Sequence, residues 1–232
     1  MLERQVIDRG AILFDPQLVR APGPELFEPE YLRARGRLSE EAGGRGTVRY
    51  FDGDGVHWVL RRYLRGGMAA RFARDRFLWL GEDRTRSFRE LRLLAELLSR
   101  GLPVPAPVAA RYRRGFASYR AELMTGLLPG VESLTAMVAA GRMDDARWAA
   151  VGRCLRRFHD AGVQHADLNS DNIMLDGDGG IWVLDFDRGR LREPGAWRER
   201  VLDRLARSIA KRRPGATDWQ RGFSLLRRAH DA

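Results

Sequence analysis

The sequence predicts an α+β fold: an antiparallel sheet with one main helix in the first part of the chain, and a mostly helical second part. Three observations carry this expectation. Strand-like runs separated by glycine turns crowd residues 47–60 and 108–124. Amphipathic patterns of helical period begin near Ser87, Asp145, Trp197 and Asp218. Between them stands one polar loop, His165-Ala-Asp-Leu-Asn-Ser-Asp-Asn172, followed by two short apolar runs.

The chain has 232 residues, enough for one domain or two closely joined lobes, and 44% of them are hydrophobic. No run approaches the ~18 apolar residues of a membrane span. The charged N-terminus lacks the zones of a signal peptide, so a cytoplasmic protein is expected. Cys154 stands alone, which excludes an intrachain disulfide and a cysteine-based zinc knot. The four histidines show no metal-binding spacing. A formal charge of +10 points to an anionic partner or surface. Because Lys211 is the only lysine, a genomic preference for arginine accounts for the charge equally well.

In order, Val6–Phe14 reads as a strand, and Pro22, Pro24 and Pro29 mark a loop before a short helix near residues 31–38. Gly43, Gly44 and Gly46 precede a hairpin of residues 47–51 and 56–60 turned by Asp52-Gly-Asp-Gly55. A glycine-rich tip lets backbone N–H groups approach phosphate, although a merely flexible tip fits as well. A helix is predicted over residues 68–80. The helix opening at Ser87 holds Phe88, Leu91, Leu94 and Leu98 on one face and stops at Gly101. Glu90 either completes a capping box with Ser87 or pairs with a cation on the preceding sheet. Pro103-Val-Pro-Ala-Pro107 leads into a second hairpin, and Thr125-Gly-Leu-Leu-Pro-Gly130 marks the junction between an N-lobe of residues 1–124 and a C-lobe of residues 125–232. Helices are predicted over residues 134–140, 145–161, 197–213 and 218–230, with Cys154 as a small core residue.

The polar loop is suited to phosphoryl transfer, which needs phosphates held in place, metal ions and a carboxylate at the attacking hydroxyl. Asp167 is the candidate base. Asn172 and Asp185 are candidate Mg²⁺ ligands, a sparse oxygen set of the kind magnesium accepts. His165 reads as a packed loop anchor. The spacing His165-x-Asp167-Leu-x-x-x-Asn172, followed by Asp185-Phe186 after a hairpin, is the paired catalytic-loop and metal-loop pattern of a protein-kinase-like, two-lobed fold. In that fold Gly44 and Gly46 cover the phosphates of ATP, and Arg61 with Glu90 forms the strand–helix ion pair. Residues 121–126, with Leu123, form the adenine-binding hinge. Arg61 replaces the customary lysine, and its forked guanidinium is not equivalent. No Ala-Pro-Glu segment follows Asp185, so a peptide platform is missing and a small-molecule or lipid acceptor is favoured.

Beyond the kinase pattern, the chain resembles the 3-deoxy-D-manno-octulosonic acid (Kdo) kinases of the lipopolysaccharide inner core, relatives of the heptose kinases. The likeness runs through Gly44-Arg-Gly-Thr47, Leu60-Arg61, Tyr63, Arg65-Gly-Gly67, Asp75-Arg76, Thr85-Arg-Ser-Phe88, Gly101-Leu-Pro-Val-Pro105, Asp167-Leu-Asn169, Leu184-Asp-Phe-Asp187 and Arg204-Leu205. The resemblance implies an arginine at position 61. It also implies ATP and Mg²⁺ as cofactors, and transfer to the 4-hydroxyl of a Kdo residue on a lipid A precursor. The enzyme would sit peripherally on the cytoplasmic face of the inner membrane, with Arg65, Arg71, Arg74, Arg76, Arg204 and Arg207 facing the anionic substrate or surface. No obligate protein partner is implied. A heptose kinase or a small atypical protein kinase is the alternative enzyme. A basic nucleic-acid-binding scaffold is the alternative outside enzymes, but the aromatics sit at core spacing rather than among the arginines.

Overall fold

The computed structural model describes residues 1–43, 46–64, 75–213 and 215–232. The chain divides into two compact units, Met1–Glu96 with Pro105–Leu127, and Leu97–Val104 with Leu128–Ala232. Compared with the expected division at residue 124, residues 125–127 count with the first unit and residues 97–104 with the second.

In the first unit β1 (Glu3–Ile7) and β2 (Gly10–Phe14) form a hairpin where one strand was expected. The short helix α1 (Pro29–Arg35) ends early, and residues expected to continue it form β3 (Gly36–Gly43), which pairs with β4 (Gly46–Gly53) along its length. β4 turns into β5 (Val56–Arg62) through Asp54 and Gly55, both left-handed at φ 53° and 73°. A two-residue hairpin loop that follows the sheet's twist needs this conformation, and Asp-Gly supplies it cheaply. The helix expected over residues 68–80 is corrected at its end: Phe77–Leu78 is a strand, β6, formed where it pairs with β8. The remainder of that expectation, residues 68–74, lies outside the described residues. Helix α2 (Arg86–Ser99) is followed by β7 (Pro107–Arg114) and β8 (Ser118–Gly126). The antiparallel sheet runs β1-β2-β7-β8-β5-β4-β3. Its core gathers Ile12, Phe14, Phe27, Leu32, Phe51, Leu60, Val108 and Met124.

One buried charge cluster fastens the proline-rich segment to this sheet. Arg111 is fully buried and donates from Nε to Glu122 at 2.7 Å, and from Nη1 to Pro24 O at 2.7 Å and Glu28 at 2.8 Å. Its guanidinium also lies 4.7 Å from the Phe27 ring. Burial alone would raise the Glu122 pKa, but Arg111, Arg62 and Arg113 more than offset it, and the carboxyl stays below its usual range.

The second unit contains β9 (Glu132–Ser133), α3 (Leu134–Ala139), α4 (Asp145–Asp160), β10 (Val163–Gln164), β11 (Ile173–Leu175), β12 (Ile181–Val183), β13 (Arg190–Leu191), α5 (Trp197–Arg212) and α6 (Trp219–Asp231). Two glycines permit the close crossing of α4 and α6. A Cβ on Gly152 would stand 2.2 Å from Leu226 O, and one on Gly222 would stand 2.1 Å from the Trp148 indole. Beside that crossing His159 Nδ1 and His230 Nε2 share a hydrogen bond of 2.8 Å, and His230 Nδ1 contacts Asp231 at 2.8 Å. Burial, with His230 and Arg198 nearby, pushes the His159 pKa down to about 3. Cys154 is buried and its thiol is pushed up to about 12, so it serves the core rather than redox chemistry.

Two outcomes follow from these buried groups. Arg111→Ala leaves Glu122 buried with Arg62 as its remaining close partner, 3.1 Å away. We expect a loss of about 3 kcal/mol in urea unfolding, the lower end for breaking a buried pair. For His159, the unfolded chain takes up a proton below pH ~6.5 while the folded one resists it. Its contribution is therefore complete above that pH and is lost as pH falls, by up to ~1.4 kcal/mol per unit. Unfolding curves at pH 7.5 and 5.5 should show that slope, and His159→Asn should reduce it.

Candidate active site

Helix α4 ends where Gly162, at φ 74°, reverses the chain, and β10 then leads into the polar loop. The His165 ring is buried and makes two backbone bonds. Nδ1 accepts the Asp167 N–H at 3.1 Å, so the ring carries its proton on Nε2, which donates to Leu184 O at 2.8 Å. Burial, the largest influence, holds its pKa below the ordinary value despite the Leu184 bond and the nearby Asp185 and Asp167, so the ring is neutral. A single imidazole thereby ties the candidate base to the residue preceding Asp185.

The loop is fastened from within. Asn169 and Asn172 both donate from Nδ2 to Asp167 O, at 3.0 and 3.2 Å. Antiparallel pairing of β11 with β12 continues one residue further, with Leu184 N–H donating to Asn172 O at 2.8 Å, so Asp185 emerges beside Asn172. Asp185 itself sits in the left-handed region at φ 61°, an uncommon conformation for a non-glycine residue and a frequent mark of a working site. Phe186 is buried, stacks on Phe158 at a centroid separation of 5.7 Å and packs tilted against the His165 ring at 4.9 Å. Because its Nδ2 donates to Asp167 O, the Asn172 amide is oriented with Oδ1, its lone-pair oxygen, as the atom able to ligate a cation. With the Asp185 carboxylate this makes a small set of hard oxygens, which fits a magnesium ion completed by phosphates and water. Among the described residues no cluster of three or more His, Cys, Asp or Glu offers a fuller metal cage.

Helix α5 supplies contacts that sequence reasoning missed. Arg204, Ser208 and Arg212 stand at i, i+4 and i+8 and so share one stripe. Arg204 grips the Asp167 carboxylate through Nε, at 2.9 Å, and Nη2. Ser208 Oγ accepts the Ser170 N–H at 2.9 Å, and Arg212 pairs with Asp171. Thr135 Oγ1 joins the same network at Ser170 Oγ, 2.7 Å away. Arg204, grouped from the sequence with an anionic surface, thus lies on the candidate base, while Arg207 points to solvent.

In the first unit, Arg61 donates to Glu90 at 2.6 Å, and the Tyr63 hydroxyl donates to the other carboxylate oxygen. Glu90 therefore serves the sheet rather than a capping box, and Ser87 Oγ bonds Arg111 O instead. Tyr63, one of the residues that carry the family resemblance, was given no role from the sequence, although its two-residue offset from Arg61 puts both on one strand face. The hinge expectation is corrected. Residues 121–126 lie within β8, flanked by β7 and β5, so their backbone groups serve the sheet rather than a purine. Leu123 is buried between Arg61 and Ala110 in register. The chain leaves this unit at Leu127. Gly46 pairs with Gly43 at the end of the β3–β4 hairpin. Gly44, Arg65, Arg71 and Arg74 lie outside the described residues; Arg76 is exposed.

The lipopolysaccharide kinase (Kdo/WaaP) family matches residues 30–224. Among curated relatives, a 3-deoxy-D-manno-octulosonic acid kinase of Stenotrophomonas maltophilia is 47% identical over 226 residues, covering 96% of this chain and 90% of the relative. Proteins of the same name from Xanthomonas euvesicatoria and Xylella fastidiosa are 49% and 48% identical at the same coverage. A crystal structure of WbdD at 2.2 Å matches with a TM-score of 0.50 and 18% identity, covering 85% of this chain and 45% of that one, which supports the kinase-like fold.

The Arg204–Asp167 pair is half exposed, so its loss should change stability by less than ~1 kcal/mol. A role of Asp167 as the base would instead make turnover depend on where its carboxylate points. Arg204→Ala should lower kcat by about tenfold or more, with the unfolding midpoint nearly unchanged. Equal losses of activity and stability would contradict this reading.

Proposed function

Because the chain belongs to the lipopolysaccharide kinase (Kdo/WaaP) family, we propose that it uses ATP to phosphorylate the 4-hydroxyl of a Kdo residue carried on a lipid A precursor. The observation that supports the chemistry best is the placement of Asp167 by His165 and Arg204, with Asn172 and Asp185 beside it in the same unit. Asp167 orients the acceptor hydroxyl and takes its proton as the O–P bond forms. Arg61, fixed by Glu90 and Tyr63, holds phosphate oxygens of the nucleotide, and Gly44 and Gly46 cover them. Asn172 and Asp185 would hold Mg²⁺, whose charge offsets that of the transferring phosphoryl group. The acceptor is a sugar acid on a phosphorylated lipid, and Arg204 and Arg207 offer it cations on α5.

The protein acts in this reading as a peripheral enzyme at the cytoplasmic face of the inner membrane. No helix among the described residues is long and apolar enough to cross a bilayer.

Labelled ATP offered in parallel with a Kdo-bearing lipid A precursor, a heptose-bearing acceptor, protein and RNA should label the Kdo lipid alone. Asp167→Ala should lower that turnover by ~10²- to 10⁴-fold while unfolding stays unchanged. Label on another acceptor, or a near-wild-type rate in the variant, would refute the assignment.

A further inference from the structure

At the end of the first unit's sheet where β7 turns into β8, large apolar side chains stand in water. Phe116, at the hairpin tip, is 100% exposed, Leu78 is 61% exposed and Leu80 is 56% exposed. Their grouping follows from register. β6 pairs Leu78 with Ser118, and the Trp79 N–H continues the pairing onto Ala117 O at 3.1 Å, which brings the next residue, Leu80, level with Phe116. Alternation then turns Phe77 and Trp79 toward the sheet and Leu78 and Leu80 away from it. Trp79 is half-buried against Tyr112 and Tyr119, with the Arg114 guanidinium 5.0 Å from its ring.

Cations surround these residues. The Arg114 N–H donates to Arg9 O at 2.6 Å and so holds the β1–β2 turn beside the tip, and Arg9, Arg76 and Arg114 are all exposed. The nearby carboxylates are mostly neutralised: Glu82 by Arg4 and the Tyr112 hydroxyl, Asp83 by Arg92, and Asp75 by Arg120. Asp8, next to Arg9, is the acidic residue left at the rim. Phe116 wholly, and Leu78 and Leu80 in larger part, forgo the roughly 1.5–3 kcal/mol that full burial of such a side chain contributes.

We propose that this sheet end is a docking surface for an anionic lipid bilayer. Phe116, Leu78 and Leu80 enter the boundary between headgroups and acyl chains, and Arg9, Arg76 and Arg114 meet the lipid phosphates. Trp79, apolar with a polar edge, sits at headgroup level. Charge selects this occupant over a second copy, because two such cationic ends would repel each other. None of these residues is among the groups assigned to catalysis, so the proposal stands or falls independently of the acceptor.

The test is co-sedimentation of the full chain, without nucleotide or acceptor, with vesicles of phosphatidylethanolamine and phosphatidylglycerol or of phosphatidylcholine alone. Wild type should bind the anionic vesicles preferentially. Phe116→Asp and Arg114→Glu should each weaken that partition by about tenfold, while phosphorylation of a detergent-free, short soluble Kdo acceptor stays as in wild type. Equal partition of variants and wild type, no preference for anionic lipid, or a Phe116→Asp effect confined to self-association in sedimentation velocity would overturn the proposal. Loss of activity on the soluble Kdo acceptor in wild type would count against the proposed acceptor alone.

Discussion

The candidate site depends on one neutral imidazole. His165 has two ring nitrogens and both are committed to backbone, one to the Asp167 N–H and the other to the Leu184 carbonyl. The loop bearing the candidate base and the strand end bearing Asp185 are separated in sequence by a hairpin, and small changes in its turn would shift one against the other. A protonated ring would lose its acceptor and release Asp167. Burial, which holds the His165 pKa down, is therefore part of how the site keeps its geometry at neutral pH.

Arginine does the work that lysine often does elsewhere, and the structure shows what that permits. A guanidinium can donate along several directions, so Arg61 reaches Glu90 while its group lies 5.1 Å from the Tyr63 ring, and Arg111 serves two carboxylates and a carbonyl at once. Arg204 meets one Asp167 oxygen, Oδ1, through two of its nitrogens, a charge-assisted contact that restrains the carboxylate. The positive charge is thus partly architectural, partly at the site and partly on the surface. A single explanation for the +10 net charge is unnecessary.

Much of this was legible in the sequence. The periodic apolar residues of α2, α4, α5 and α6 marked helices that the structure contains, and the linked spacing of Asp167, Asn172 and Asp185 singled out a loop and a strand end that the structure joins through His165 and the Leu184–Asn172 bond. What was missed depends on tertiary pairing. β3 contains Ser39-Glu-Glu-Ala42, with no strand preference, and is a strand because β4 lies along it. β6 exists for two residues only as a neighbour of β8. The hinge was misplaced because likeness to the kinase pattern was extended over residues 121–126, which pair with a strand on each side. The stripe of Arg204, Ser208 and Arg212 was visible as a spacing, but nothing local revealed that it would face the catalytic loop.

The most direct test of this account is the ¹⁵N spectrum of the His165 ring between pH 7.5 and 5.5. A neutral ring protonated on Nε2 throughout, with Nδ1 showing the shift of a hydrogen-bonded acceptor, is the predicted result. A ring that titrates near the ordinary histidine value, or that carries its proton on Nδ1, would contradict the claim that this one side chain holds the candidate base and Asp185 in register.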